Sequence, residues 1–243
     1  MNLSKKIASW IRQQVKESKA KGIVVGLSGG IDSACVVLLA KMAVGKNVLG
    51  LIMPCQSNPV DEKYAMLLAK KFNIKVKKIP LDRVCESFLK TVPTKNKLAL
   101  ANLKPRLRMI TLYLFANSLN YLVAGTGNKS EAMVGYFTKH GDGGVDILPL
   151  GDLLKVDVRK LARELDVPCQ IIERVPTAGL WEGQTDEGEL GMSYEDLDRA
   201  IVAIQAGKDK SFKPKNIILK VKRLMNKSEH KRYLPPIFKK NTK

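Results

Sequence analysis

The chain opens on an amphipathic helix, in which Leu3, Ile7, Trp10, Ile11 and Val15 recur at helical spacing among lysines and glutamines. A short apolar stretch follows, Gly22-Ile23-Val24-Val25-Gly26-Leu27, and reads as a strand. Next, Ala34-Cys35-Val36-Val37-Leu38-Leu39-Ala40 is apolar enough to be a buried helix. The alternation continues. Residues 48–53 predict a second strand ended by Pro54, and 61–72 a helix with Ala65, Leu68, Ala69 and Phe72 on one face. A third strand is expected at 74–79, stopped by Pro80, and a helix around 81–89. Pro105 suits the first position of a helix running to about Leu119, where its missing N–H costs nothing. Residues 121–124 predict a fourth strand and 157–165 another helix, while 90–101 carry no pattern that assigns a conformation.

Strands alternating with helices predict an α/β fold, a doubly wound parallel sheet with helices on both faces. We expect a single domain over 1–243, to which a basic C-terminal helix and tail at 207–243 belong. Ligands in such sheets bind at the carboxyl ends of the strands, so Ser28, Met53-Pro54 and Gly125-Thr126 should share one rim. The helix at 105–119 is apolar nearly all round, through Leu107, Met109, Ile110, Leu112, Leu114, Phe115 and Ala116. It is expected to be buried in the core or against a partner subunit, with the subunit interface favoured. Residues 177–193, rich in Gly, Glu and Asp, read as a long mobile loop or lid.

Composition narrows the class. With 243 residues and a 45% hydrophobic fraction the chain can bury a full core, yet no apolar run approaches the roughly 20 residues that cross a bilayer. The first helix lacks the form of a secretion signal. Cys35, Cys55, Cys85 and Cys169 are far apart and form no Cys-x-x-Cys, which points away from disulfides and zinc and towards a reducing cytoplasm. The net charge is +19, and from Gly207 onward 13 Lys and Arg face only Asp209 and Glu229. Such a surface attracts polyanions, but no aromatic residues interleave as a single-strand binder requires. A solvated lysine surface is the preferred reading, with neither nucleic acid nor membrane expected as a partner.

Candidate chemistry centres on Ser28-Gly29-Gly30-Ile31-Asp32-Ser33, set between a strand and a helix. Loop amides and the positive helix end converge on an anion there, and paired glycines let the backbone approach it. Asp32 stands where a magnesium ion bound to polyphosphate would sit. This is neither a Walker loop nor a dinucleotide turn. After the fourth strand, Gly125-Thr126-Gly127-Asn128-Lys129-Ser130-Glu131 resembles a degenerate Walker loop interrupted by Asn128. Thr126 could donate to phosphate or ribose, and Glu131 could be a second metal carboxylate. Arg106 and Arg108, in the first turn of their helix, are either anion receptors or snorkelling side chains. The glycine-rich loop at 138–146 suits closure over a substrate, and Lys155 could neutralise charge on a reacting phosphoryl group. His230 alone carries little weight, and no Ser/His/Asp set or cysteine nucleophile can be assembled.

Taken in order, these motifs resemble the ammonia-dependent NAD synthetases, members of the N-type ATP pyrophosphatase superfamily with the adenine nucleotide alpha hydrolase-like fold. The likeness rests on residues 26–33, on Asn102-x-Lys104-x-Arg106-x-Arg108-Met109, and on 125–131 with Gly135-Tyr136 and Thr138-Lys139. It continues through Gly141-Asp142-Gly143, Asp146, Pro149, Lys155, Pro176-Thr177-Ala178, Gly183-Gln184-x-Asp186-Glu187, Glu189-Leu190-Gly191 and His230-Lys231-Arg232. The resemblance implies a ligase that adenylates the carboxylate of deamido-NAD with ATP and amidates it with ammonia, giving NAD, AMP and pyrophosphate. It implies that Gly26, Leu27, Ser28, Gly29, Gly30, Ile31, Asp32 and Ser33 hold ATP together with Thr126, Lys155 and Thr177. Arg106, Lys139, Asp146, His230 and Lys231 would contact deamido-NAD across a homodimer interface. Asp32 and Glu131 would bind Mg²⁺, and Lys155 and Asp142 would be catalytic. The amidohydrolase domain of glutamine-dependent relatives is missing, so free ammonia is the expected nitrogen source. A tRNA-modifying ATP pyrophosphatase is the alternative; it suits the basic tail but generally requires catalytic cysteines.

Overall fold

The computed structural model describes residues 2–181 and 183–240. Among these, four parallel strands form one sheet in the order β3-β2-β1-β4, comprising β1 (Gly22–Gly26), β2 (Val48–Ile52), β3 (Val76–Lys78) and β4 (Tyr121–Ala124). Ile23 pairs with Val48, Gly22 with Tyr121 and Gly50 with Val76, and a lone parallel bridge from Ala124 to Ile147 extends the sheet past β4. The strand order reverses between β1 and β4. A crevice for ligands opens at such a switch point, outside the strands' carboxyl ends.

Successive strand residues face opposite layers. Ile23, Val25, Leu27 and Val48 pack with α1 (Leu3–Glu17), α2 (Ile31–Val44), α3 (Pro59–Lys71), and further along the chain α7 (Lys155–Glu164) and α8 (Cys169–Ile172). Val24, Leu49, Leu51 and Val123 face the other way, towards α4 (Asp82–Thr91) and α5 (Lys97–Leu119). Helices therefore cover both faces. The apolar α2 is wedged between α1 and α7, which explains why it lacks a wet side. A third core joins α6 (Lys129–Val134), α9 (Asp186–Leu190), α10 (Tyr194–Gln205) and α11 (Lys215–Lys227) through Val134, Leu190, Leu197, Ile201, Ile218 and Val221.

Several sequence expectations are corrected. Helix α5 starts at Lys97, capped by the Asn96 side chain accepting the Ala99 N–H, so Pro105 lies inside it. An interior proline costs about 3 kcal/mol in an isolated helix, and Pro105 is tolerated here where it is buried by packing. Arg106 and Arg108 are consequently mid-helix, and the helix-dipole reading of them falls. Within one chain this helix is covered on one side only, with Ile110 59% and Leu114 65% exposed, so the core alternative falls and the subunit-interface expectation stays open. The segment 177–193 is also more ordered than a lid. Thr185 caps α9 by accepting the Gly188 N–H, and Gln184, Asp186, Leu190 and Met192 are buried. Residues 177–181 run along the open crevice, and Gln184, Asp186 and Glu189 line it too. Strand β3 is shorter than the apolar run, and α7 begins two residues earlier than its pattern suggests.

Candidate active site

A cavity of about 710 Å³ lies at the carboxyl ends of β1, β2 and β4. Gly26, Leu27, Ser28, Gly30, Ile31, Asp32 and Ser33 line it. Gly29 makes the turn beneath with φ +75°, and a Cβ there would meet the Asp61 carbonyl oxygen at 2.3 Å. The Ser28 hydroxyl accepts the Gly30 N–H at 3.3 Å and lies 3.1 Å from the Ser33 hydroxyl. Gly30 begins α2 without a side-chain cap, so the first-turn amides are left to a ligand.

Opposite this loop stand Thr126 and Glu131, at the β4–α6 turn, and Lys155, the first residue of α7. The Lys155 ammonium lies 2.6 Å from Asp32 Oδ2 and 3.3 Å from Glu131 Oε1, with the Tyr194 ring centre 4.8 Å away. It is 2% exposed. Burial opposes its charge, but Asp32 and then Glu131 outweigh burial and hold its pKa above the ordinary value. Burial pushes Glu131 up to about 7, against the pull of Lys155, and likewise raises Asp186. Two carboxylates thus contact one ammonium, with Asp186 adding to the field, in a poorly solvated place.

That donor set is all oxygen, which suits a hard divalent cation. Among the described residues no group of three His, Cys, Asp or Glu forms a ready metal cage. A Mg²⁺ held by two carboxylates, with phosphate oxygens and water completing its shell, needs none. Asp32 and Glu131 fit that role.

Asn128, which interrupts the Walker-like pattern, holds the pair in place. Its side-chain oxygen accepts the Glu131 N–H at 3.0 Å, while Glu131 Oε2 accepts the Asn128 N–H at 3.2 Å, a capping box. Its Nδ2 donates to Asp32 Oδ1 at 2.9 Å. One buried asparagine therefore ties both carboxylates together.

Thr177, Asp142 and Lys231 also line the cavity. Asp142 is exposed, and its Oδ1 accepts the Thr138 N–H at 2.9 Å. Lys231 donates to the Gly135 and Phe137 carbonyls, each at 2.7 Å. Arg106, Lys139, Asp146 and His230 form no part of the cavity wall; Arg106, Lys139 and His230 make an outer patch, and Asp146 has partners of its own. Arg106 donates to the Lys139 carbonyl at 3.3 Å, and Lys139 to the His230 carbonyl at 2.7 Å. His230 joins through its backbone, with its exposed ring outside. Asp146 accepts from the Tyr113 hydroxyl at 2.9 Å and the Val123 N–H at 2.8 Å.

Arg174, Asp61 and Tyr194 carried no chemical signal in the sequence, and Lys104 and Arg108, singled out there, play a different part. Arg174 pairs with Asp61 at 2.5 Å, both on the cavity wall. The Tyr194 hydroxyl donates to Asp186 Oδ2 at 2.9 Å and lies 3.3 Å from Glu131 Oε1. Buried Lys104 donates to the Leu180 carbonyl at 2.8 Å, and Arg108 to the Met53 carbonyl and the Ser57 hydroxyl, both at 3.1 Å. The two cations brace the rim and do not point at solvent.

The family model described as NAD synthase matches residues 3–235. A protein of Carboxydothermus hydrogenoformans named NH(3)-dependent NAD(+) synthetase is 46% identical over 239 residues, covering 96% of each chain. Among solved structures, NMN synthetase from Francisella tularensis superposes with a TM-score of 0.89 at 37% identity, over 97% of this chain and 96% of that one. The NH3-dependent NAD synthetase from Campylobacter jejuni, solved with nitrate, gives a TM-score of 0.85 at 31% identity, over 98% and 100%.

Proposed function

The chain belongs to the NAD synthase family, and we propose that its cavity converts the carboxylate of deamido-NAD into an amide in two steps. The observation that carries this reading is the Asp32–Lys155–Glu131 cluster facing an uncapped helix start across one cavity. ATP lays its polyphosphate on residues 26–33, with Thr126 and Thr177 at its flank. A magnesium ion held by Asp32 and Glu131 would neutralise phosphate charge. A carboxylate oxygen of deamido-NAD attacks the α-phosphorus, the bond to the β-phosphate bridge breaks, and pyrophosphate leaves. The nucleophile is already ionised, so this step needs no protein base. Lys155 relieves the charge that builds on the transferring phosphorus. Ammonia then attacks the acyl carbon and AMP departs with the oxygen it gained. Asp142, on the cavity wall, takes the proton the new amide nitrogen sheds.

The outer patch of Arg106, Lys139 and His230, together with Asp146 and with Lys231 at the cavity edge, receives the rest of the dinucleotide. Arg106 lies one helical turn from exposed Ile110, so the patch borders the apolar face of α5. A second copy of the chain covers that face and completes the patch, making a homodimer. Among the described residues no helix is long and apolar enough to cross a membrane. The tRNA-modifying alternative finds no support. Cys35, Cys55 and Cys85 are buried, Cys169 stands alone, and none lines the cavity.

A second reading, a mononucleotide substrate, is favoured by the likeness in shape to the Francisella protein. One assay separates them: ATP, Mg²⁺ and ammonium or glutamine, with deamido-NAD or nicotinate mononucleotide. The expected products are NAD, AMP and pyrophosphate, with ammonium and deamido-NAD preferred. Faster amidation of the mononucleotide selects the second reading, and ADP with phosphate rejects both.

A further inference from the structure

We propose that Asp198, on α10 and outside the cavity, is a positioning residue that holds the starts of α6 and α7 together and so sets where Glu131 and Lys155 stand. The proposal rests on the roles given above to those two residues. Asp198 is 4% exposed and does not line the cavity. One of its carboxylate oxygens accepts the Ser130 hydroxyl, and the other accepts the Val156 N–H at 3.0 Å. The Ser130 oxygen in turn accepts the Lys155 N–H at 2.9 Å.

The need for this clasp comes from the helix itself. The first N–H groups of any α-helix have no partner within it. Helix α7 begins after Leu154, whose side chain cannot cap, so the Lys155 and Val156 amides depend on groups from elsewhere. Ser130 and Asp198 supply them. Ser130 also immediately precedes Glu131 in the first turn of α6. One buried carboxylate therefore fixes the backbones of both residues from behind, at helix starts whose dipole favours a negative charge. Neither the first loop nor Asp32 touches it, so its influence should fall on the lysine and Glu131 alone.

The test is Asp198→Asn, which keeps the shape but leaves only one oxygen to accept. The readouts are kcat, half-saturating Mg²⁺ and the melting temperature, each in wild-type and Lys155→Ala backgrounds. In the wild-type background kcat should fall by about 10–100-fold, with a higher Mg²⁺ requirement, as expected when an outer partner of a metal carboxylate is lost. In the Lys155→Ala background the same change should cost several-fold less in kcat than in the wild-type background, because residues acting through one another are not additive, while the raised Mg²⁺ requirement exerted through Glu131 remains. A full-sized loss of kcat in both backgrounds would overturn the proposal, as would unchanged kcat and Mg²⁺ requirement with only a lower melting temperature. Should Asp198→Asn not fold, Ser130→Ala, which removes the same link, decides by the same readouts. Wild-type turnover in Lys155→Ala alone would instead overturn the reading of the cavity, a distinguishable failure.

Discussion

The cluster around Lys155 and the patch around Arg106 are built in opposite ways. Lys155 is enclosed, and its two closest carboxylates are held by Asn128 from the side. The charges act across a poorly solvated space, where each interaction is strong. Arg106 and Lys139 spend single donors on backbone carbonyls and keep the rest towards water, beside exposed Ile110 and Leu114. Charges there are screened and worth little until something covers them. The contrast is between a charge cluster closed within one chain and a cationic patch left open beside an exposed apolar helix face; on the proposed function, the first would take the nucleotide and the second would need a covering surface.

The sharpest way to break this contrast is Lys155→Ala. It should lower kcat by about 10²–10³, the usual cost of losing a preorganised charge at the transition state. Single-turnover formation of AMP measures it, and a near-normal rate would remove Lys155 from the chemistry. On the open side, Leu114→Asp should weaken self-association by roughly 30-fold or more, as for an interface hot spot worth about 2 kcal/mol. Sedimentation across a dilution series reads this; an unchanged profile would mean that the α5 face is not the interface. Arg106→Ala should raise KM for deamido-NAD by about tenfold while leaving KM for ATP near its original value, since one charge-assisted contact is lost. Equal effects on both substrates would merge the two regions.

The smallest effect concerns stability. Burial holds Glu131 at about 7 against an ordinary 4.5, so between those values the folded chain binds more protons than the unfolded one. The stability of the cation-free protein should therefore fall as pH rises through this window, by a few kcal/mol at most, at about 1.4 kcal/mol per pH unit. Urea unfolding on either side of the window measures it. Glu131→Gln should lose that part of the slope, and an identical slope would show Glu131 to be ionised throughout.

The alternation of strands and helices was legible because each element buries one side and shows its period. The phosphate loop was legible because its residues are contiguous. Asn128 could have been read too, since Asn-x-x-Glu before a helix is a capping signature. Pro105 misled because local rules favour a helix start there, and only packing shows the helix running through it. The acidic, glycine-rich stretch after Gly183 misled in the other direction: its polar residues serve as caps and buried acceptors rather than as a solvated loop. Arg174 and Asp198 left no trace, because their partners lie 113 and 68 residues away and no local pattern joins them.

On the proposed function the cavity activates a carboxylate by joining it to AMP. Deamido-NAD carrying ¹⁸O in its nicotinate carboxylate tests this directly, with mass spectrometry of the products after reaction with ATP, Mg²⁺ and ammonium. The prediction is one labelled oxygen in AMP and none in pyrophosphate. Unlabelled AMP, or label in phosphate released alongside ADP, would contradict it.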